Sequence, residues 1–179
     1  MVSAGASTVA EALMIRCSSM HSAYCAPTVQ APLNYRGGMA STTDTQDPET
    51  IRRLLTTPAR WAIVGLSTNT RRPAHGVSRM IRDQLGMDIV PVNLAGEDVH
   101  GETGYRRLAD IEGQVDVVDC FVNSQRVGAV VDQAIEIGAK AVWLQVGVID
   151  HEAAARARDA GLDVVMDTCP AIEAPKLGL

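Results

Sequence analysis

Aromatic side chains are scarce in this sequence: one Phe, two Trp and three Tyr make up 3% of 179 residues. That is too few for the stacking rings on which single strands bind, or for an aromatic belt at a membrane interface. Basic charge is not in excess either, since 16 Lys and Arg face 21 Asp and Glu for a net charge of −5. A broad field that gathers nucleic acid or anionic membrane is thereby excluded, whereas a local arginine cluster is not. Apolar runs stop well short of the roughly 20 residues a spanning helix needs. The opening stretch MVSAGASTVAEALMIRCSSM contains Glu11, lacks basic residues ahead of its apolar part and breaks that part with Ser7 and Thr8, so it is a poor secretory signal. The expectation is a soluble, cytoplasmic protein.

Cys17, Cys25, Cys120 and Cys169 form no C-x-x-C pair, and a disulfide framework is not indicated. His21, His75, His100 and His151 stand at no metal-ligand spacing, so no metal site is expected. What is present is a hydrophobic content of 46%, enough for a core, in a length slightly above that of one domain.

Composition divides the chain near residue 46. Residues 1–46 are rich in Ser, Thr, Ala and Gly, show no sustained period beyond a turn or two at VAEALMI, and read mostly as a disordered extension. A second reading takes Met39 as the natural translation start, which the mass of the intact native protein would decide. Residues 47–179 read as a single domain. Asp47-Pro48-Glu49 opens a lead-in helix with Ile51, Leu54 and Leu55 on one side. Strands are expected at 61–65, 88–92, 115–120, 140–145 and 162–167, with a short one near Tyr105. Helices are expected from Pro73 to Gly86, through Val127–Ile135 and from Asp150 through EAAARARDA, plus one turn at 108–111. This alternation predicts an α/β, Rossmann-like open parallel sheet of about five strands with helices on both faces.

In such a sheet the ligand crevice lies beyond the strand carboxyl ends, where strand order reverses. The residues just past those ends are 65–73, 91–93, 120–123, 145–147 and 167–170. The loop Gly65-Leu66-Ser67-Thr68-Asn69-Thr70-Arg71-Arg72-Pro73 combines a glycine, hydroxyl donors, two guanidinium groups and a helix start, which suits phosphate. A solvated loop and a site for another anion stay open as alternatives. Neither G-x-G-x-x-G nor a GxxxxGK[ST] loop is present, and the second strand ends at Asn93 rather than at an acid that would hold two ribose hydroxyls. The ligand-binding candidates are Gly65, Ser67, Thr68, Arg71, Arg72, Pro91, Asn93, Cys120 and Gln145, with no catalytic residue among them. Asn93 serves either the ligand or its own loop. Asp119, Asp167 and Glu173 lack a paired nucleophile and read more simply as caps. Cys120 and Cys169 read as packing thiols, His151 as solvent-facing and His75 as a neighbour of the phosphate loop.

The segments AIVGLSTNTRRPAHGVSRMI, VPVN, GYRRLADI, VDVVDCF, AIEIGAKAVWLQVGVID and EAAARARDAGLDVVMDTCPAIE, between Trp61 and Glu173, carry a resemblance. The chain resembles the small CoA-binding domain family, single-domain bacterial proteins similar to the N-terminal domain of the succinyl-CoA synthetase alpha subunit, within the NAD(P)-binding fold superfamily. The resemblance implies a CoA nucleotide with phosphates near Ser67, Thr68 and Arg72 and adenosine toward Pro91–Asn93. Two family arginines are replaced: a Phe-Arg-x-Ser motif reads Phe121-Val122-Asn123-Ser124, and Asp-Arg-Cys-Pro reads Asp167-Thr168-Cys169-Pro170. Arg71, beside Arg72, offsets part of that loss. The implied function is noncatalytic binding of CoA or an acyl-CoA by a carrier, sensor or accessory subunit, as a homodimer or with a partner. The alternatives are a small nucleotide-dependent oxidoreductase or transferase, and a ligand-free protein-interaction module.

Overall fold

Helix α1 (Pro48–Thr56) begins where its sequence asks it to: Asp47 Oδ2 accepts from Thr50 N at 2.8 Å, and Ile51, Leu54 and Leu55 are buried. The structure, a computed structural model, describes residues 45–179. The expectations of disorder and of a start at Met39 therefore fall on residues outside the described ones, Thr45 and Gln46 apart. Thr45 O accepts from Met166 N at 2.9 Å, and Gln46 Nε2 donates to the carbonyls of Met166 and Asp167.

Five parallel strands, β1 (Arg60–Val64), β2 (Asp88–Val92), β3 (Val117–Cys120), β4 (Ala141–Leu144) and β5 (Asp163–Met166), form one sheet in the order β2-β1-β3-β4-β5. The expected α/β, Rossmann-like architecture is the one observed. Val92 bridges Tyr105 in parallel fashion, so the short strand expected there is a single bridge, and a 3-10 turn covers Leu108–Asp110. The connecting helices are α2 (Pro73–Asp83), α3 (Ser124–Glu136) and α4 (His151–Asp159), and a further helix α5 (Pro170–Lys176) follows the last strand. Among the described residues no helix is long and apolar enough to cross a membrane.

Because side chains alternate along a strand, each strand feeds two cores. Ala62, Val118, Cys120, Val142 and Leu144 pack with Val127, Val131, Ala153 and Ala157 under α3 and α4. Trp61, Ile63, Val117, Trp143 and Val165 pack with Leu54, Val77, Ile81 and Ala174 under α1, α2 and α5. Gly65 ends β1 at φ +96°, and a Cβ there would lie 2.6 Å from Phe121 O. Glycine is required at this position both for conformation and for the close approach of the β1 and β3 ends.

Candidate functional site

The chain leaves β1 for β2 on one side and returns to β3 on the other, so strand order reverses between β1 and β3. Above that point lies a crevice of about 640 Å³ whose lining includes Gly65, Ser67, Asn69, Arg72, Asn93 and Arg126. Two helices start on it. The N-cap of α2 is Arg72 and that of α3 is Asn123, and neither side chain caps the first turn. By contrast α4, which starts on the same sheet edge but away from the crevice, is capped by Asp150 Oδ1, which accepts from Ala153 N at 2.9 Å. The first-turn amides of α2 and α3 thus open toward the crevice without a side-chain acceptor, at the positive ends of two helix dipoles.

Four arginines line the same space, Arg72, Arg106, Arg107 and Arg126. Arg107 is paired with Asp110 at 2.6 Å, and Arg106 Nε donates to Ala95 O at 3.3 Å. The guanidinium groups of Arg72 and Arg126 meet no hydrogen-bonding or ionic partner among the described residues. Arg126 lies in the first turn of α3, where a cation opposes the helix dipole and where no acidic residue offsets it. An anion in the crevice would relieve that conflict.

Of the residues singled out in the sequence, Gly65, Ser67, Arg72 and Asn93 meet at the crevice. The Asn93 side chain is engaged by its own loop: Nδ2 donates to Glu97 O at 2.9 Å, and Oδ1 accepts from the backbone nitrogens of Ala95 and Glu97. Thr68 Oγ1 donates to Glu97 Oε2 at 3.2 Å, Arg71 is exposed, and Pro91 is buried within β2. These three and Cys120, which is fully buried beneath α3, line neither the crevice nor the side cavity described next. Arg126, Arg106 and Arg107 went unrecognised in the sequence, although an arginine in a helix's first turn without an acidic neighbour was a readable sign.

Gln145 lines a side cavity of about 380 Å³ that shares Gly65, Arg72, Phe121 and Val122 with the crevice. Its Nε2 donates to Asp119 Oδ1 at 2.7 Å. Asp119 is fully buried, and its Oδ2 has no partner among the described residues. Burial pushes the Asp119 carboxyl up to about 7, opposed by the hydrogen bond from Gln145. Burial also pushes the Cys169 thiol up and the Cys120 thiol well up. The other strand-end acids are engaged, Asp167 Oδ1 accepting from Gly147 N and Glu173 Oε1 from Thr168 Oγ1 and Lys176 Nζ. His75 packs against His100 with tilted rings whose centroids lie 4.3 Å apart, and His151 is exposed. No group of three His, Cys, Asp or Glu among the described residues could hold a metal ion.

Sheet order, crevice position and helix starts together define a Rossmann-like domain with an anion-receptive crevice. Residues 59–175 match the family model for the CoA binding domain, and the chain belongs to that family. The uncharacterized protein YneT of Bacillus subtilis is 33% identical over 119 residues, 66% of this chain and 87% of the relative. A hypothetical protein from Pyrococcus horikoshii superposes with a TM-score of 0.70 at 36% identity, covering 74% of this chain and 92% of that one. The alpha subunit of the ADP-forming acetate–CoA ligase II of Pyrococcus furiosus is 27% identical over 85 residues, 48% of this chain and 19% of that subunit.

Proposed function

We propose that the protein binds CoA or an acyl-CoA in the crevice without transforming it. The observation that carries this reading is the pairing of two helix starts lacking side-chain caps with the unpartnered guanidinium groups of Arg72 and Arg126 around one space. CoA fits the donor set. Ser67, Arg72 and the α2 amides suit its diphosphate, Arg126 and the α3 amides suit its ribose phosphate, and Val92, Leu108 and Val130 offer an apolar wall for adenine. Arg126 in this role supplies a cation near Val122, where the family carries arginine.

Noncatalytic binding is favoured because Asp167 and Glu173 are held in structural hydrogen bonds and Asp119 is buried. An accessory role in a larger assembly is supported by the ligase subunit among the relatives. We further propose a cytoplasmic setting, a single functional domain over 47–179 and a separate extension before it.

Calorimetric titration of the full chain with CoA, NAD and ATP at one ionic strength tests the reading. Saturable binding with CoA the tightest of the three is expected. No heat at millimolar CoA would overturn it.

A further inference from the structure

The side cavity differs in character from the crevice that it joins. Apart from Arg72 at the shared rim it offers no cation, and its walls are largely apolar, with Val148 and Ile172 typical. Gln145 and Cys169 contribute polar side-chain atoms. Gln145 is 5% exposed, and its amide nitrogen is held inward by Asp119 Oδ1 at 2.7 Å. Nitrogen and oxygen are the two prongs of one planar group, so anchoring the nitrogen fixes the oxygen. Gln145 Oε1 accepts from no described residue and is left for the cavity that Gln145 lines.

Asp119 has no direct ligand contact to make, since it lines neither cavity. It is flanked in the ladder by Ile63 and Trp143, and the titratable groups that feel its charge are the thiols of Cys169 and, from the opposite face of the sheet, Cys120. A carboxylate with one orphaned oxygen in such surroundings is costly to ionise, and the neutral acid is the form that this packing favours.

We propose that the side cavity takes the uncharged, amide- and thiol-bearing arm of the ligand. In this arrangement Gln145 Oε1 accepts a hydrogen bond from an amide N–H of that arm, and Asp119 is the positioning residue that holds Gln145 in place. This rests on the CoA reading and deepens it by assigning a neutral arm, rather than a carboxylate-tipped one, to the branch.

The test compares the affinity of the full chain for CoA with that for adenosine 3′-phosphate 5′-diphosphate, which lacks the arm. CoA is expected to bind about tenfold tighter or better, the scale of one buried hydrogen bond plus apolar contact. Gln145→Leu and Asp119→Leu bring the ratio toward one, while Asp119→Asn, which keeps an accepting carbonyl, retains it. Ile172→Glu, at an exposed position of the cavity wall, lowers the ratio without disturbing the core, so the test survives a failure of the Leu variants to fold. Equal affinities for the two compounds, or a ratio insensitive to both Gln145→Leu and Ile172→Glu, overturn the inference. An Asp119→Asn ratio as low as that of Asp119→Leu overturns the role of Asp119. Absence of binding by both compounds overturns instead the CoA reading itself.

Discussion

The two faces of the sheet hold different kinds of core. Beneath α3 and α4 the packing is aliphatic and small, Val118, Val142 and Leu144 against Val127, Val131, Ala153 and Ala157. Beneath α1, α2 and α5 lie both tryptophans, 5.8 Å apart by ring centroids, together with Asp119, Gln145 and Ser78. The buried side-chain polar atoms without partners among the described residues, Trp61 Nε1 and Asp119 Oδ2, are both on this second face. The α3/α4 face, which also walls the crevice, has none, whereas the face that carries Gln145 and the side cavity retains groups that pure stability would replace.

The largest expected effect probes both faces at adjacent residues. Trp143→Ala removes a fully buried ring and leaves Thr168 O without the donor it now has at 2.9 Å. A loss of about 4 kcal/mol is expected in urea denaturation. Leu144→Ala, one residue on and facing the other way, should cost about 3 kcal/mol and leave the preference for CoA over the arm-less nucleotide intact. A Leu144→Ala variant that loses that preference would break the division of labour between the faces.

Acidity separates the faces next. Asp119 is protonated in the folded state up to about 7, but in the unfolded chain it ionises near the ordinary carboxylate value of 3.8. The native state therefore holds the proton across that window while the unfolded state has lost it. The contribution of Asp119 to stability is fully present below the lower value, declines as pH rises through the window and is flat above it. The slope is about 1.4 kcal/mol per pH unit at most. Asp119→Asn should thus gain on the wild type as pH rises from about 4 to about 7, read as the difference between two urea midpoint series. Parallel pH profiles would mean that Asp119 is ionised when folded.

Much of the fold was legible because its signals are local. Period and punctuation give the strands to within two residues, and Asp47 and Asp150 cap where caps were read. Helix α5 escaped because seven residues holding Pro170 and Pro175 carry little helical pattern, and packing on α2 and α1 stabilises it. The candidate site was half legible. Strand ends pointed to Gly65, Ser67, Arg72 and Gln145, but β3 is buried on both sides, so alternation alone does not tell which of Asp119 and Cys120 shares the face of Gln145. The link between Asp119 and Gln145 depends on the register that pairs Asp119 with Trp143. Arg106 and Arg107 reach the crevice through the Val92–Tyr105 bridge, a long-range contact with no local signature.

Smaller effects sharpen a related contrast, between helix starts that serve stability and those that serve a ligand. Asp150→Ala should cost about 1 kcal/mol through loss of the α4 cap. Asn123→Ala, whose side chain makes no cap bond, should cost a few tenths of a kcal/mol. Equal losses in thermal unfolding would erase the distinction between these two starts.

A similarly small change in stability is expected at Arg126, and there its sign matters more than its size. A cation in the first turn of α3 opposes the helix dipole, so Arg126→Glu should stabilise the free protein by about 0.5 kcal/mol. The same substitution removes a positive charge from the crevice and adds a negative one, so CoA affinity should fall by more than about tenfold, and most steeply at low salt. Opposite signs in thermal unfolding of the free protein and in CoA titration would identify α3 as a helix start left strained for an anion. If Arg126→Glu weakened both, the arginine would instead be part of the packing, and the crevice would depend on Arg72 and the α2 start for its anion.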